Sequence, residues 1–333
     1  MPSPGFSRMK AAVLTPEGMV VRRIPRPRCG RGQVLIRVVG CGVCSGDVHA
    51  YRQREALRRS GAPAWRRFAG VGDHEVLMGH EPSGVIAQVG PGVRGLRAGQ
   101  TVTAMDGAYA EYCVAEADDV APLAEGVDPL WALGEAVACC VHACGRSSIR
   151  LGERVAVVGC GFMGQVCAQL SRLQGAAQVL AIDPVGWRRR TALRLGADAA
   201  AGPDEAPPQV LARDHGPFDL VIEAAGTQKA LLLSGELVRQ HGCINIVGYH
   251  QADGGVRNVP MQQWNYKALT VVNGHVRRLD EKRQAMRAGM ELLASGRLKL
   301  QPLVKPYPLE QAGQAFADLD AMRRGLFKAV LTP

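Results

Sequence analysis

The run Val155-Ala-Val-Val-Gly159-Cys-Gly161-Phe-Met-Gly164 carries an apolar strand straight into three glycines at G-x-G-x-x-G spacing, and a helix-like segment follows. Each glycine answers a physical need. Gly159 lets the chain turn tightly off the strand. Gly161 removes a side chain where a cofactor pyrophosphate must touch backbone, and Gly164 lets the helix sit close to the strand. The helix N-terminus then offers unpaired N–H groups and a positive dipole end to the phosphates. Asp183 closes the next apolar run, Val179-Leu-Ala-Ile182, at about the 20-residue offset expected of a carboxylate on the adenosine ribose hydroxyls. A carboxylate there repels a 2′-phosphate, which favours NAD over NADP. The spacing therefore assigns Gly159, Gly161, Phe162, Met163, Gly164 and Asp183 to a dinucleotide site. Arg188, just beyond, either stacks near the adenosine or is an exposed helix arginine.

Such a turn needs a sheet to hold it. From Arg154 the apolar periodicity alternates between strand and helix. It predicts strands over 155–158, 178–182, 220–224 and 244–248, and helices over 165–173, 188–195 and 230–239. That alternation is the signature of a parallel sheet with crossover helices. A further strand is predicted over 267–273, helices over 281–295 and 308–319, and a last strand over 327–331. Before Val120 the texture differs: short apolar runs are broken by Pro25, Pro27, Gly30 and many later glycines, which reads as irregular β structure. Residues 130–146 are apolar at helical spacing.

Bulk properties narrow the class. The chain has 333 residues, enough for two domains of ordinary size. No apolar run approaches the roughly 20 residues of a membrane helix, and the N-terminus lacks the apolar core of an export signal. A cytoplasmic protein with reduced cysteines is expected, with no membrane partner. Of the ten cysteines, several sit in apolar runs as small hydrophobes. Cys139, Cys140, His142 and Cys144 resemble a metal string but share one apolar helix and are read as core. The net charge of +10 does not point to nucleic acid, because arginines are spread along the chain and no aromatic-interleaved basic stripe appears. The densest group, Arg52, Arg54, Arg58, Arg59, Arg66 and Arg67, reads as a solvated face, with an anion site as the minor alternative.

Further motifs complete the pattern: Gly42-Val-Cys44-Ser-Gly-Asp47-Val-His49, then Gly79-His80-Glu81-Pro-Ser-Gly84, then Gly134-Glu135. With the glycine turn, in this order and scale, the chain from Met9 onward resembles the zinc-dependent medium-chain dehydrogenase/reductase superfamily, most closely its sorbitol (polyol) dehydrogenase branch. The resemblance implies an α/β architecture. A GroES-like β-barrel catalytic domain (1–148 and 276–333) would be joined to a Rossmann cofactor domain with a doubly wound parallel sheet (149–275), and the active site is expected in a cleft between domains.

The resemblance also implies a site. Zinc takes Cys sulfur, His nitrogen and carboxylate oxygen, and a catalytic zinc keeps one position open. Cys44, His80, Glu81 and Glu135 are the candidate ligands; of the two carboxylates one binds directly, the other directly or through water. Asp47 is expected to orient a histidine ligand, and His49 to end a proton relay. Tyr51 and His275 are candidate substrate contacts. The expected reaction is NAD-dependent oxidation of a secondary alcohol of a polyol, sugar or cyclitol, by a homodimer or homotetramer. Two rivals stand beside it: a zinc-free reductase of the same superfamily and a non-catalytic nucleotide-binding protein.

Three departures from the family pattern matter. The hydroxyl usually found two residues after the first cysteine is replaced by Gly46, leaving Ser45 one residue early, so either Ser45 or a water must take the substrate proton. Residues 102–111 cross where relatives carry a four-cysteine zinc lobe, and only Cys113 is near; one catalytic zinc and no structural zinc is therefore expected. An arginine-rich insertion occupies 51–77.

Overall fold

Val155, Ala156 and Val157 are wholly buried, as a run of β-branched and small residues must be when both faces of a parallel sheet are covered. The computed structural model describes residues 7–61, 70–147, 149–205 and 207–333. Arg66 and Arg67 of the arginine-rich insertion lie outside them. The chain divides into two compact units, one of Met1–Ala136, Met290–Ser295 and Leu300–Pro333, the other of Val137–Gly289 and Gly296–Lys299. Among the described residues no helix is long and apolar enough to cross a membrane.

The first unit opens with the antiparallel hairpin β1 (Arg8–Thr15) and β2 (Gly18–Pro25), followed by β3 (Gln33–Gly42), α1 (Ser45–Arg52) and α2 (Leu57–Ser60). Then come β4 (Val76–Leu77), β5 (Pro82–Val89), β6 (Thr101–Ala104), β7 (Tyr112–Glu116), β8 (Val120–Pro122) and α3 (Gly134–Ser147), the last running on into the second unit. β3 is antiparallel to both β5 and β7, β5 to β6, and β6 to β8. Flanked on both edges, β3 buries Val34, Leu35 and Ile36 almost completely.

The second unit contains β9 (Arg154–Val158), α4 (Phe162–Leu173), β10 (Gln178–Ile182), α5 (Gly186–Arg194), β11 (Ala199–Ala201), α6 (Pro208–His215), β12 (Phe218–Glu223), α7 (Gln228–Leu237), β13 (Val238–Ile246), α8 (Met261–Tyr266) and β14 (Thr270–Asn273). Its strands form one six-stranded parallel sheet, in the order β11-β10-β9-β12-β13-β14. The order reverses direction at β9, the switch point where open α/β sheets bind ligands beyond their carboxyl ends. The chain continues through α9 (Leu279–Ala294) and returns to the first unit with β15 (Val304–Pro308), α10 (Ala312–Asp320) and β16 (Lys328–Thr332), which pairs antiparallel with β3.

The sequence expectation differs in places. A helix over 230–239 and a strand over 244–248 become α7 ending at Leu237 and β13 starting at Val238. The polar stretch Arg239-Gln240-His241 hides the strand's first half. His241 has φ 54° and the pairing with β12 shifts register there, so the strand bends with those residues facing outward. The short β11 and α6 carry too little periodicity to be read from sequence.

Candidate functional site

Two strand ends build the first constellation. The antiparallel register of β3 and β5 places Cys41 opposite Pro82, so the residues just beyond each strand, Cys44 on one side and His80-Glu81 on the other, are neighbours. Cys44 caps α1 in extended backbone (φ −76°, ψ 150°). Gly79 precedes His80 with φ 113°, and a Cβ there would lie 2.7 Å from the Tyr109 amide nitrogen. Gly42 donates its N–H to the Glu81 carbonyl at 3.0 Å, and a Cβ on Gly42 would overlap Glu81 Oε2. Sulfur of Cys44, a ring nitrogen of His80 and a carboxylate oxygen of Glu81 lie within 4.8 Å of one another.

The electrostatics of this cluster call for a cation. Glu81 is buried; Oε1 accepts from Lys328 Nζ at 2.8 Å, whereas Oε2 is buried with no hydrogen-bond partner among the described residues. Lys328 is itself buried on β16. Burial works against its charge, but Glu81, Cys44 and Glu135 together hold it as the ammonium. Asp47, in the first turn of α1, has Oδ2 3.6 Å from His80 Nδ1, and Tyr109 Oη donates to the same oxygen at 2.6 Å. Burial disfavours the His80 imidazolium; the hydrogen bond to Cys44 and the charges of Asp47 and Glu81 outweigh it and push the pKa up to about 10. A sulfur, a nitrogen and an orphaned carboxylate oxygen are a donor set that suits zinc, so the residues present fit such an ion. Glu135 is buried at the start of α3, outside the three-residue cluster, and acts electrostatically on Lys328.

Ser45 is exposed and His49 half-buried. They stand four residues apart on α1, one above the other on a single face. Tyr51 is half-buried and packs on Phe316 at 5.4 Å between ring centroids, with the Arg54 guanidinium carbon 4.4 Å from the Tyr51 ring centroid. Arg52 pairs with Asp320 and Arg58 with Glu17, at 2.5 and 2.8 Å. The described part of the arginine-rich segment is thus tied to the first unit by its charges. Cys113 lies buried in β7, where loss of solvent pushes its thiol up to about 12.

The second constellation lies at the carboxyl end of the parallel sheet. Gly159 has φ 99°, and a Cβ there would lie 2.7 Å from the Ala225 amide nitrogen. A Cβ on Gly164 would overlap the Gly159 carbonyl oxygen, whereas one on Gly161 would meet nothing within 4 Å. The backbone at Gly161, the N-cap of α4, therefore has open space beside it, as an anion at a helix N-terminus requires. Asp183 is buried. Its Oδ2 accepts from the Cys160 amide and its Oδ1 from the Val185 amide, both at 2.8 Å, and Arg188 Nη1 stands 3.8 Å from Oδ2. Each oxygen retains a lone pair for a ribose hydroxyl. Arg188 is mostly buried rather than an exposed helix arginine, and its Nε has no hydrogen-bond partner among the described residues. Phe162 and Met163 form the first turn of α4.

Sequence reasoning did not single out several residues at these sites. Lys328 and Tyr109 are two. A third group is Glu223 at the end of β12, which accepts from the Ala225 and Gly226 amides at 3.0 and 2.7 Å and lies 2.9 Å from His250 Nε2; Arg257 Nε donates to His250 Nδ1 at 2.9 Å. This network shapes the loop against which Gly159 packs. His275, half-buried beyond β14, has its ring 5.2 Å from that of Tyr249 and Nε2 3.4 Å from the Gly248 carbonyl. Burial pushes its pKa down, so it stands neutral at pH 7.

Comparison with known proteins follows the same division. A family model described as "Alcohol dehydrogenase GroES-like domain" matches residues 30–125, and one described as "Zinc-binding dehydrogenase" matches 163–295. The chain is 28% identical to a sorbitol dehydrogenase of Gallus gallus, covering 89% of this chain and 88% of that one. It is 27% identical to an L-threonine 3-dehydrogenase of Bacillus licheniformis, covering 98% and 99%. The solved structure of alcohol dehydrogenase TADH from Thermus sp. ATN1 superimposes with a TM-score of 0.82 at 26% identity, over 97% of this chain and 99% of that one.

Proposed function

This chain belongs to the zinc-dependent medium-chain dehydrogenase/reductase superfamily, and on that premise we propose that it oxidises a secondary alcohol of a polyol, sugar or cyclitol to the ketone with NAD. The observation that carries the reading is Glu81 Oε2, a buried carboxylate oxygen without a partner, facing the same small volume as Cys44 and His80. A buried charge needs a partner, and a zinc ion would supply it. Cys44, His80 and Glu81 would hold the ion, with Glu135 the fourth candidate. When bound, zinc supplies the Lewis acidity that makes a substrate hydroxyl acidic near neutral pH.

The chain's own residues do the rest. Asp47, fixed by Tyr109, orients His80. Ser45 and His49 give the released proton a route along one face of α1, in place of the hydroxyl lost at Gly46. The glycine turn and Asp183 hold the dinucleotide, and Tyr51 and His275 are each candidate substrate contacts. We assign one zinc per chain and a homo-oligomer. The test is NADH formation across polyols, sugars and inositols, on protein of measured zinc content with a chelated control. Turnover lost on chelation at one zinc per chain supports the reading. Turnover that survives metal removal overturns it in favour of a zinc-free reductase.

Two expectations follow from these roles. Ser45→Ala should lower kcat about 10²-fold, in the range for a positioned proton-transfer group, with KM little changed; an unchanged rate at every pH would hand the step to water. Asp183→Ser removes charge-assisted hydrogen bonds, each worth roughly 1.5–3 kcal/mol. NAD affinity should fall about 10- to 100-fold while NADP affinity falls less, as titration calorimetry with both dinucleotides would report. Equal losses for the two would remove Asp183 as the selector.

A further inference from the structure

A closed ring of hydrogen bonds joins the glycine turn to the helix beyond Asp183. The Cys160 amide donates to Asp183 Oδ2 and the Val185 amide to Asp183 Oδ1, both at 2.8 Å. The Arg188 amide donates to the Val185 carbonyl at 3.0 Å. Gln165, in α4, closes the ring with its side chain: Nε2 donates to the Arg188 carbonyl at 2.9 Å and to the Cys160 carbonyl at 3.2 Å. Both backbone groups of Cys160 are thereby fixed, its N–H by Asp183 and its carbonyl by Gln165. Gln165 is wholly buried. Its amide nitrogen carries two hydrogens, one for each carbonyl. The reverse orientation would set the amide oxygen against both carbonyls, so the partners fix which end is nitrogen. At the other end, Gln165 Oε1 is buried with no hydrogen-bond partner among the described residues. An unpaired buried acceptor is destabilising, and an apolar side chain of similar length would fill the same space without one. Packing alone therefore does not ask for glutamine here; the two carbonyls do.

We propose that Gln165 is a positioning residue for the adenosine end of the dinucleotide, holding Asp183 and the start of α5 in register with the phosphate-binding turn. The inference rests on the dinucleotide reading above. The ligand spans both places with one covalent framework: its pyrophosphate lies on the turn and its ribose on the carboxylate. Both are gripped together only if turn and carboxylate keep their separation, to within about 0.5 Å. The parallel pairing of β9 and β10 ends at Val158 and Ile182, so Cys160 and Asp183 both lie beyond it. The Gly159 amide still donates to the Ile182 carbonyl at 2.8 Å, and the ring carries the linkage onward from there. The Arg188 carbonyl lies inside α5, whose own ladder it also serves. Losing the Gln165 amide therefore loosens α5 against the turn without melting the helix.

The experiment is a calorimetric titration of the zinc-loaded full chain with ADP-ribose, the adenosine end of the dinucleotide without its nicotinamide. Wild type, Gln165→Leu, Asp183→Ser and the double variant are compared. Gln165→Leu should weaken binding about tenfold, the scale of one net hydrogen bond. In the Asp183→Ser background the ring is already open, so the same substitution should cost less than about twofold further, as members of one network are not additive. A thermal melt checks that Gln165→Leu is folded; Gln165→Met, unbranched and closer in shape, gives the same reading should it not be. Wild-type affinity in a folded variant overturns the proposal. So do losses that multiply in the double variant, which would make Gln165 act apart from Asp183. A wild-type chain that binds no ADP-ribose overturns the dinucleotide reading itself, and the proposal with it.

Discussion

Replacing His80 with alanine is expected to empty the cation site and to slow alcohol oxidation by about 10³-fold or more, since Lewis-acid stabilisation is worth several kcal/mol and about 1.4 kcal/mol is a factor of ten. The ligand set explains why the loss is so large. Cys44 and Glu81 alone leave two anionic donors in a buried place, where a divalent ion keeps too few bonds and open positions fill with water. NAD affinity should change by less than about twofold, because the glycine turn and Asp183 are held by β9, β10 and β12 of the second unit and by none of the cluster's residues. Zinc analysis and dinucleotide binding on the same sample check both halves. Full zinc content in the variant would remove His80 from the ligand set. Zinc loss without loss of turnover would sink the metal mechanism itself.

The second large effect concerns Lys328. Removing one member of a buried ion pair leaves an uncompensated charge, which costs about 3–5 kcal/mol, so Lys328→Met should destabilise the metal-free protein by about that amount. The zinc-loaded protein should lose less, because a divalent ion beside Glu81 takes over the compensation. Adding Glu81→Gln to Lys328→Met should recover most of the metal-free stability, since the charge left stranded is then gone. Denaturant melts of the four proteins, with and without zinc, complete the cycle. If single and double variants are equally unstable, Lys328 acts through packing rather than through its charge on Glu81.

What the sequence disclosed, and what it withheld, divides along range. The glycine turn is legible because its constraints are local: strand, turn and helix occupy consecutive residues, and Gly159, Gly161 and Gly164 each meet the surroundings their spacing demands. His80 and Glu81 were legible as a motif flanked by Gly79. The structure adds why Gly42 and Gly79 are glycines: one clears Glu81, the other turns the backbone beside Tyr109. Lys328 was not legible. Its partner is 247 residues away, and no periodicity links two residues that meet only through strand pairing. The lone cation in the apolar run Phe327–Leu331 was the available signal, since a strand position in phase with buried neighbours seldom carries a lysine without a reason. Arg188 shows the limit of propensity: position on a helix suggested exposure or stacking equally, and burial beside Asp183 follows from tertiary packing alone.

The ion pair between Glu81 and Lys328 also sets an order of assembly. Glu81 leads into β5, early in the chain, while Lys328 opens β16, the strand that pairs with the end of β3. During synthesis the ribosome delivers all of the second unit between these two partners. That unit draws its strands from one uninterrupted stretch, so it can fold while the first unit still lacks an edge strand and a buried carboxylate still lacks its counter-ion. A nascent chain stalled before β16 should therefore bind dinucleotide before it can retain metal. On that order metal retention is expected only once β16 has paired with β3, so zinc starvation should leave full-length chains that bind dinucleotide but do not turn over.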